Sequence, residues 1–475
     1  MSVEYEMTIG IECHVQLATK TKLFSPADND ARDAEPNSKT HPIDFGLPGM
    51  LPILNWEAVR LAIKAGKALN AQIAPISRFD RKHYFYPDLP KGYQTTQMYQ
   101  PIILAGHVDA PLEDGSVVHV RVHHAHMEED AGKLTHYSDY SLVDLNRAGT
   151  PLIEIVSEPD MHSAAEAKAY ATELYRLMTF AGVTYGDLYH GNMRFDVNIS
   201  VAPKGSTELG KRAEVKNLNS FRSVEKAAEY EFKRQVALLE KGERVVQETR
   251  GWDDAKQKTS SQRSKEDAQD YRYMPDADIP PIVLTESEIN EVQALVPKLP
   301  PQYREDWAEL GVDKSVINSI LANKQYAELV SSVLSAGGQK AAKRVANWIA
   351  SNLTIDESGS ESKNADVADL LALCDMTDKA EITSNAASEL FNELMNGASD
   401  PRAIAEERNL LQVSDENAVA SIVEEVLADP SSQKAIDDIK AGNDKAIGYL
   451  VGQIMKKSQG KANPGMAQKM IRERL

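Results

Sequence analysis

Strict alternation of apolar and polar residues in two short stretches constrains this fold more than any other feature. In residues 9–17 every odd position except Cys13 is Ile, Val or Leu, so Glu12 and His14 lie side by side on the other face of a predicted strand. In residues 194–201 the same alternation places four polar residues on one face of a second predicted strand: Arg194, Asp196, Asn198 and Ser200. Each stretch predicts a half-buried strand whose polar face is available for a ligand, and a solvated outer face is the alternative for either strand alone.

The length of 475 residues is more than one ordinary hydrophobic core accommodates, so two or three domains are expected. No apolar run approaches the length of a membrane span, and the first residues lack the basic and apolar segments of a signal peptide. Cys13 and Cys374 are too few for a zinc cage or a disulfide framework. These features predict a cytoplasmic protein without membrane contact.

The pattern of elements divides the chain into a mixed part and a helical part. Strand-like runs, Gly/Pro turns and a few helices alternate up to about residue 290, after which helical periods take over. Asn55 and Ser163 are predicted N-caps in the mixed part, and residues 356–364 have the composition of a polar linker. We predict the α+β class, with an α+β catalytic domain at residues 1–294, a helical connector at 295–410 and a basic helical tail at 411–475.

Charge is distributed unevenly along the chain. The net charge of −18 argues against a general affinity for nucleic acid, but residues 440–475 hold eight Lys or Arg and only two acidic residues. A basic end on an acidic body predicts localised contact with a polyanion, and a solvated basic helix is the alternative. The polar junction Ser431–Ser432 predicts that this end is a separable unit.

A run of three acidic residues follows the strand-like residues 117–122. Adjacent carboxylates such as Glu128, Glu129 and Asp130 repel each other unless a cation neutralises them, and hard cations such as Mg²⁺ prefer oxygen ligands. Glu154 stands in an apolar strand, where a carboxylate is costly unless it is paired or bound to a metal. These residues predict a cation site, with an exposed acidic turn and a salt bridge to an Arg as the alternatives.

Several motif-like segments lack residues that their chemistry requires. His123, His124 and His126 do not have zinc-site spacing, so we interpret them as polar residues at a strand end, with His126 the one to test. Residues 205–212 nearly match a phosphate-binding P-loop, but Arg212 replaces the Ser or Thr that contacts magnesium, so a hairpin loop is predicted. The chain has no G-x-S-x-G elbow, and both cysteines have the setting of buried small hydrophobes. No nucleophile is therefore predicted.

Distinctive blocks of sequence occur along nearly the whole chain. In chain order they are IGIECHVQL (9–17), FYPDLPKGYQ (85–94), HMEEDAGK (126–133), DLNRAGTPLIEIVSEPD (144–160), KNLNSFRSVEKA (216–227), DYRYMPDADIPP (270–281) and GYLVGQIMKKSQGKANP (448–464). Together they resemble the family of the B subunit of bacterial aspartyl/glutamyl-tRNA amidotransferase. The last block is similar to the family's tRNA-contacting helical domain.

The resemblance implies a heterotrimer with an amidase (A) subunit and a small C subunit. In that family the B subunit uses ATP and Mg²⁺ to phosphorylate the side-chain carboxylate of misacylated Glu-tRNA(Gln) or Asp-tRNA(Asn). Ammonia that the A subunit releases from glutamine then displaces the phosphate. The resemblance also implies a first domain built on an antiparallel sheet, similar to glutamine synthetase and guanidino kinases.

The resemblance and the strand faces together give a set of expected site residues. The expected magnesium ligands are Glu12, His14, Glu128, Glu129, Glu154 and Asp196. The residues expected to neutralise charge during phosphoryl transfer are Arg194, Lys91 and Lys216. The expected nucleotide contacts are Tyr93, Gln94 and Asn198. The expected tRNA contacts are Lys456, Lys457, Lys461, Lys469 and Arg472.

The sequence departs from the family pattern in one place that concerns metals. Many members carry a cysteine pair before the GLPG turn, whereas this chain has His41-Pro42-Ile43-Asp44 there, so no zinc is expected. Two rival interpretations remain: a tRNA-binding scaffold without catalysis, and a metal-dependent phosphohydrolase. Consumption of ATP that requires both misacylated tRNA and Mg²⁺ would separate the kinase from both rivals.

Overall fold

A computed structural model describes residues 3–264, 270–352, 365–412, 416–440, 443–458, 462 and 464–475. The predicted polar linker at residues 356–364 lies outside the described residues. The described chain forms two compact units, one up to Asp306 and one from Trp307 onward. None of the helices in the described residues is both long and apolar enough to cross a bilayer.

The first unit contains every strand that the structure describes. These are β1 (Tyr5–Gln16), β2 (Ile76–Ser77), β3 (Asp80–His83), β4 (Tyr93–Thr96), β5 (Gly106–Pro111), β6 (Val117–Glu129), β7 (Lys133–His136), β8 (Ser141–Asp144), β9 (Pro151–Ser157), β10 (Met193–Pro203), β11 (Ala213–Leu218), β12 (Glu248–Asp253), β13 (Lys258–Ser264), β14 (Met274–Pro275) and β15 (Ile282–Val283). Its α-helices are α1 (Trp56–Ala68), α2 (Ala164–Phe180), α3 (Phe221–Glu240), α4 (Glu286–Gln293) and α5 (Pro300–Asp306).

Eight strands form the main sheet, in the order β13-β12-β11-β10-β1-β9-β6-β5. Each neighbouring pair is antiparallel except β11 and β12, which run parallel. The first strand of the chain therefore lies inside the sheet, between β10 and β9, whose residues come much later in the sequence. The mixed α/β architecture predicted for the first part of the chain is confirmed.

The two faces of the sheet have different chemistry. The odd residues of β1 from Ile9 to Val15 are buried in the main core with residues of α2 and α3, and Cys13 is completely buried among them. The even residues of β1 therefore lie on the opposite face, as the alternation predicts. Residues 205–212 connect the antiparallel strands β10 and β11, which confirms the predicted hairpin loop.

The helix caps in the first unit follow local sequence signals. The side chain of Asn55 accepts the backbone N–H of Glu57 at 3.0 Å, and that of Ser163 accepts the N–H of Glu166 at 3.1 Å. Each interaction satisfies one of the free N–H groups at a helix start. Both predicted N-caps are confirmed.

The predicted end of β6 is wrong. The strand does not stop at Val122 but runs to Glu129, so the three histidines lie within it and not at its end. The register with β9 shifts between Val122 and His124, which leaves His123 as the extra residue of a bulge. The bulge allows the ladder to continue, so the acidic residues Glu128 and Glu129 become part of the sheet.

The second unit is helical wherever the structure describes it. Its helices are α6 (Lys314–Ile320), α7 (Lys324–Asn352), α8 (Val367–Asp378), α9 (Ser384–Met395), α10 (Pro401–Glu407), α11 (Glu416–Ala428), α12 (Gln433–Lys440), α13 (Ile447–Lys457) and α14 (Pro464–Arg474). The buried Val419 and Val423 of α11 belong to one hydrophobic cluster with Leu450 and Ile454 of α13. A separable unit that begins at Ser431–Ser432 is therefore wrong, because such a division would split this core.

Candidate active site

Three neighbouring strands bring one histidine and two glutamates together on the polar face of the sheet. In the register, His14 of β1 lies opposite Glu154 of β9, and Glu154 lies opposite His126 of β6. The Nε2 atom of His14 is 3.4 Å from Oε1 of Glu128 and 3.7 Å from Oε2 of Glu154. One ligand atom from each of His14, Glu128 and Glu154 lies within 4.8 Å of the others. We call these three residues the first cluster.

His126 is the second histidine beside the first cluster. Its Nε2 atom is 3.3 Å from Glu154 and 3.9 Å from Glu128. Burial alone would lower the pKa of His126, but the hydrogen bond and the charge of Glu154 raise it. Burial alone would raise the pKa of Glu154, but His126 and His14 lower it. Burial and then the charge of Glu154 raise the pKa of Glu128. The first cluster therefore combines Glu154, whose carboxylate is ionised, with Glu128, whose negative charge is poorly neutralised.

A second cluster of Glu12, Asp196 and Glu214 lies on the next strands of the same face, and its ligand atoms are again within 4.8 Å of one another. The ammonium of Lys216 is 2.7 Å from Asp196 and 2.8 Å from Glu214. Burial is the largest cause of the raised pKa of Glu12, followed by the charges of Glu154 and Glu214. Glu12 therefore belongs to the second cluster but is also influenced by the charge of Glu154 in the first.

Backbone and amide donors hold the second cluster in place. Asn217 has a left-handed conformation with φ of 59°, and its backbone N–H donates to Oδ1 of Asp196 at 2.8 Å. The amide nitrogen of Asn198 donates to Glu12 at 3.0 Å. The buried Oδ1 of Asn198 has no hydrogen-bond partner among the described residues. An unsatisfied buried oxygen beside carboxylates can ligate a cation directly or accept a hydrogen bond from a water bound to that cation.

The two clusters have the composition of a site for a divalent cation. Five carboxylates and two imidazoles share one face, whereas Lys216 is the single cation that contacts the second cluster at ion-pair distance in the described residues. The raised pKa of Glu12 and Glu128 indicates that ionising all the carboxylates is costly without a further positive charge. Oxygen-rich ligand sets suit hard cations such as Mg²⁺. The residues present therefore fit such an ion.

Arg194 lies on the predicted face, but its guanidinium is already paired. Its Nη2 atom donates to Oδ2 of Asp130 at 2.8 Å, and Nε of Arg147 lies 3.3 Å from the same oxygen. The charge of Asp130 is the largest cause of the raised pKa of Arg194. Two arginines on one carboxylate leave a net positive charge there, and the charges of Glu128 and Asp196 also contribute to the raised pKa of Arg194.

Glu129 is not brought into either cluster. It follows Glu128 on the strand and therefore points to the other face, where its carboxylate forms an ion pair with Lys91 and accepts the N–H of Thr95 at 2.9 Å. Gln94 donates its amide to the backbone oxygen of Glu129 at 2.8 Å. The ring of Tyr93 lies 4.4 Å below the guanidinium of Arg81. Three of the predicted site residues therefore lie together, away from the first and second clusters: Lys91, Gln94 and Glu129.

Sequence reasoning did not select Lys82 or Glu214. Lys82 lies on β3, with its ammonium 5.0 Å from the ring centre of Tyr271. Burial alone would lower the pKa of Lys82, but the negative charges of Glu128 and Glu154 raise it. Glu214 could have been found, because it alternates with apolar residues in the same way as Lys216. Lys82 carries no comparable signal, since its neighbours come from distant parts of the chain.

A cavity of about 760 Å³ opens where β1 and β10 leave the clusters. Gln16 and Asn192 stand at its inner edge, and their side chains are joined by a hydrogen bond of 3.2 Å. Arg147 lines it, as do the exposed rings of Tyr185 and Tyr189. Its lining holds four Lys or Arg and four Asp, so the cavity offers polar and aromatic surface of mixed charge.

The comparisons with known proteins agree with this geometry. The model of the GatB/GatE catalytic domain matches residues 7–290, and the model described as the GatB domain matches residues 328–475. The chain is 45% identical to the B subunit of the aspartyl/glutamyl-tRNA(Asn/Gln) amidotransferase of Alkalilimnicola ehrlichii, with both chains covered completely. It belongs to the family of that B subunit. The same protein of Persephonella marina is 44% identical, again over both full lengths, and that of a Synechococcus strain is 43% identical over 98% of its length.

Membership in the B-subunit family confirms the predicted family and the predicted class of enzyme, an amidotransferase that works as a complex of subunits. The catalytic-domain match covers all the residues of the two clusters. The second match covers the basic end of the chain, where exposed lysines and an arginine lie at the end of α13 and along α14: Lys456, Lys457, Lys469 and Arg472. Lys461 lies outside the described residues.

Two of the lysines predicted to contact tRNA have acidic neighbours in this amidotransferase chain. Lys457 is 2.9 Å from Glu425 of α11, and Lys469 is 3.8 Å from Glu473 of its own helix. Exposed pairs of this kind contribute little stability, so the lysines can exchange them for other anions. Contact between these lysines and tRNA stays a prediction.

Proposed function

We propose that this chain catalyses the ATP- and Mg²⁺-dependent phosphorylation of the amino acid carried by misacylated Glu-tRNA(Gln) or Asp-tRNA(Asn). The observation that carries the proposal is the pair of carboxylate clusters on one face of the sheet, formed by His14, Glu128, Glu154, Glu12, Asp196 and Glu214. The names of the relatives supply the substrate class, since they read aspartyl/glutamyl-tRNA(Asn/Gln) amidotransferase.

The proposed reaction has two steps, a phosphoryl transfer and an amidation. An oxygen of the side-chain carboxylate attacks the γ-phosphorus of ATP, and ADP leaves with the electrons of the broken bond. Ammonia then attacks the carbonyl carbon, inorganic phosphate leaves, and one proton is lost from nitrogen to give the amide. The first step is needed because a carboxylate is a poor acyl donor, whereas an acyl phosphate is a good one.

The clusters would hold Mg²⁺, with His14, Glu128 and Glu154 on one side and Glu12 and Asp196 on the other. When bound, the ion would neutralise phosphate charge at the face where both clusters lie. Lys216 and Arg194 would stabilise the negative charge of the transferring group from fixed positions, since each is held by a carboxylate. Tyr93, Gln94 and Asn198 stay our predicted nucleotide contacts, and Lys91 and Glu129 would position the segment that carries two of them.

The proposal requires a partner that makes ammonia. Neither described cysteine is exposed, so we assign glutamine hydrolysis to an A subunit, with a small C subunit completing a heterotrimer in the cytoplasm. We also propose that the first unit is related in fold to glutamine synthetase and guanidino kinases. That proposal is supported by the mostly antiparallel sheet with ligand-type side chains across one face.

The test uses the reconstituted heterotrimer with Glu128→Gln and Glu154→Gln. Each variant should lose tRNA-dependent ATP hydrolysis by at least about a hundredfold, because removing one element of transition-state charge stabilisation has effects of that size. Glutamine hydrolysis by the A subunit should persist. The matched control is Glu229→Gln, a partly exposed glutamate on α3 that pairs with Lys226. Wild-type ATPase in both cluster variants would contradict the proposal, and ATP hydrolysis without tRNA would favour a phosphohydrolase.

A further inference from the structure

A separate group of ligand-type side chains lies at the edge of the main sheet. His107 and Asp109 are on the edge strand β5, and His119 is on β6. The register pairs Asp109 directly with His119, and the intervening Val108 is 1% exposed. Because strand side chains alternate, burying the valine forces all three polar side chains onto the outer face.

The three side chains converge within the range of metal coordination. Nδ1 of His119 is 2.6 Å from Oδ1 of Asp109, and Nε2 of His107 is 3.9 Å from Oδ2 of Asp109. All three residues offer a ligand atom within 4.8 Å of the others. Zinc bonds of about 2.0–2.2 Å place tetrahedral ligand atoms roughly 3.3 Å apart. The two measured distances lie on either side of that separation, so small rotations about the side-chain bonds suffice.

We propose that His107, Asp109 and His119 form a surface site for a divalent transition-metal ion of the zinc class, with water completing the coordination. A ligand set with two imidazoles and only one carboxylate favours zinc, nickel, copper or cobalt over magnesium, which prefers sets made mostly of oxygen ligands. This site is distinct from the clusters proposed to hold Mg²⁺. Glu128 lies nine residues after His119 on the same strand, a distance of about 30 Å along an extended chain.

The surroundings leave the ligand atoms accessible. The side chains of His107, Asp109 and His119 are 38%, 56% and 58% exposed. Arg121, the next outward residue on β6, directs its guanidinium to Asp160 through two hydrogen bonds of 2.9 and 2.7 Å. Its charge is therefore neutralised by that carboxylate and does not compete for Asp109.

Binding at this place would join the edge strand to its neighbour. β5 pairs with β6 on one side only, so a metal held by both strands adds a cross-link at the boundary of the sheet. The cysteines and the spacing of the three other histidines predict no zinc. The ligands proposed here are separated in sequence and come together only because two strands pair.

The test measures zinc retained by the full chain in equilibrium dialysis against Zn²⁺ with a large excess of Mg²⁺, which occupies oxygen-rich sites. The wild-type chain should retain one zinc more than the double variant His107→Asn/His119→Asn. Cobalt should give the visible absorption of a low-symmetry site in the wild type and not in that variant. Asp109→Asn should weaken zinc binding by at least about tenfold, since even outer-shell partners of a metal contribute that much.

His136→Asn is the matched control, because His136 is an exposed strand histidine on β7 whose ring contacts Ser141 and, among the residues that the structure describes, no acidic side chain at ion-pair distance. Its zinc stoichiometry and cobalt spectrum should equal those of the wild type. Circular dichroism checks that each variant is folded. Equal zinc retention by the wild type and the double variant, or no cobalt absorption in the wild type, would overturn the proposal.

Discussion

The ammonium of Lys22 lies 3.1 Å from the carboxylate of Asp44, and the Lys22 side chain is completely shielded from solvent. The same ammonium is 3.5 Å from the backbone oxygen of Leu145, and Asp44 accepts the N–H of His41 at 2.9 Å. The pair therefore ties the long segment after β1 to the loop that carries Arg147. Burial lowers the pKa of Lys22 more than the nearby Asp44 raises it, so both partners depend on each other for neutralisation.

Replacing Lys22 with Met should lower the free energy of unfolding by about 3–5 kcal/mol, because Asp44 would be left as an unpaired buried charge. Urea denaturation measures the loss. Adding Asp44→Asn should recover much of it, since a neutral amide has no charge to leave unpaired. Lys39→Met, which removes the exposed pair with Asp28, is the control and should cost less than about 1 kcal/mol. A Lys22→Met chain as stable as the wild type would refute the argument.

Glu231 gives a prediction about pH. It is fully buried on α3, where ion pairs and hydrogen bonds from Arg234, Thr259 and Arg250 lower its pKa although burial alone would raise it. A carboxyl with a lowered folded-state pKa stabilises the fold above its unfolded pKa of about 4.5, and loses that contribution as pH falls below it. Glu231→Gln should therefore cost about 3 kcal/mol at pH 7 and progressively less toward pH 3.

Unfolding curves at several pH values test this dependence. The partly exposed Glu229 on the same helix, paired with Lys226 at 3.0 Å, provides the control substitution Glu229→Gln. Its effect should be small at every pH. A constant difference between Glu231→Gln and the wild type from pH 7 to pH 3 would show that Glu231 is not the titrating group.

The isolated chain should not hydrolyse glutamine. Burial raises the pKa of the Cys13 thiol, and burial is also the largest cause that raises the pKa of Cys374 to about 11. A thiol that stays protonated in the core is a poor nucleophile. Ammonia release from glutamine by the purified chain, measured against Cys13→Ser, checks this. Activity that disappears in Cys13→Ser would contradict the expectation.

The basic residues of the last two helices should bind tRNA phosphates. Replacing Lys456, Lys469 and Arg472 with Ala should weaken tRNA binding, because each substitution removes a phosphate contact. Each lost contact should also lower the salt slope of the affinity by about one unit. These side chains are exposed, so the cluster formed by α11, α13 and α14 stays packed. Filter binding of tRNA over a range of salt concentrations measures both quantities.

The control for that triple substitution is Lys379→Ala, which removes an exposed lysine paired with Asp375. Point substitutions are preferable to deleting the chain after Asp429. Such a deletion would strip Val419 and Val423 of their buried partners on α13. An unchanged affinity and salt slope in the triple variant would show that tRNA is held elsewhere.

Period-two alternation was enough to place Glu12, His14 and Asp196 on one face, because β1 and β10 are regular. It failed for β6. Val120 and Val122 are buried at even positions, whereas Ala125 and Met127 are buried at odd positions, so a strict count from Val122 would put Glu128 inside. The bulge at His123 reverses the parity, and a single sequence gives no reliable signal for an extra strand residue.

The remaining site residues depend on contacts between distant parts of the chain. Lys82 lies on β3, where the charges of Glu128 and Glu154 raise its pKa, and Tyr271 beside it follows almost 190 residues later. Glu129 was expected among the metal ligands because it belongs to an acidic run. Its separation from Glu128 follows only once β6 is known to extend to Glu129, because the two neighbouring side chains then face opposite ways and Glu129 pairs with Lys91.

The inner position of β1 has a consequence for synthesis of the chain. This strand leaves the ribosome well before its partners β9 and β10, which end at Ser157 and Pro203, so both of its hydrogen-bonding edges stay open while the partners are made. A nascent chain that ends between those strands can pair only one edge and exposes the other to any extended peptide. Such a chain would depend on chaperones, and stalled translation in this window should favour aggregation.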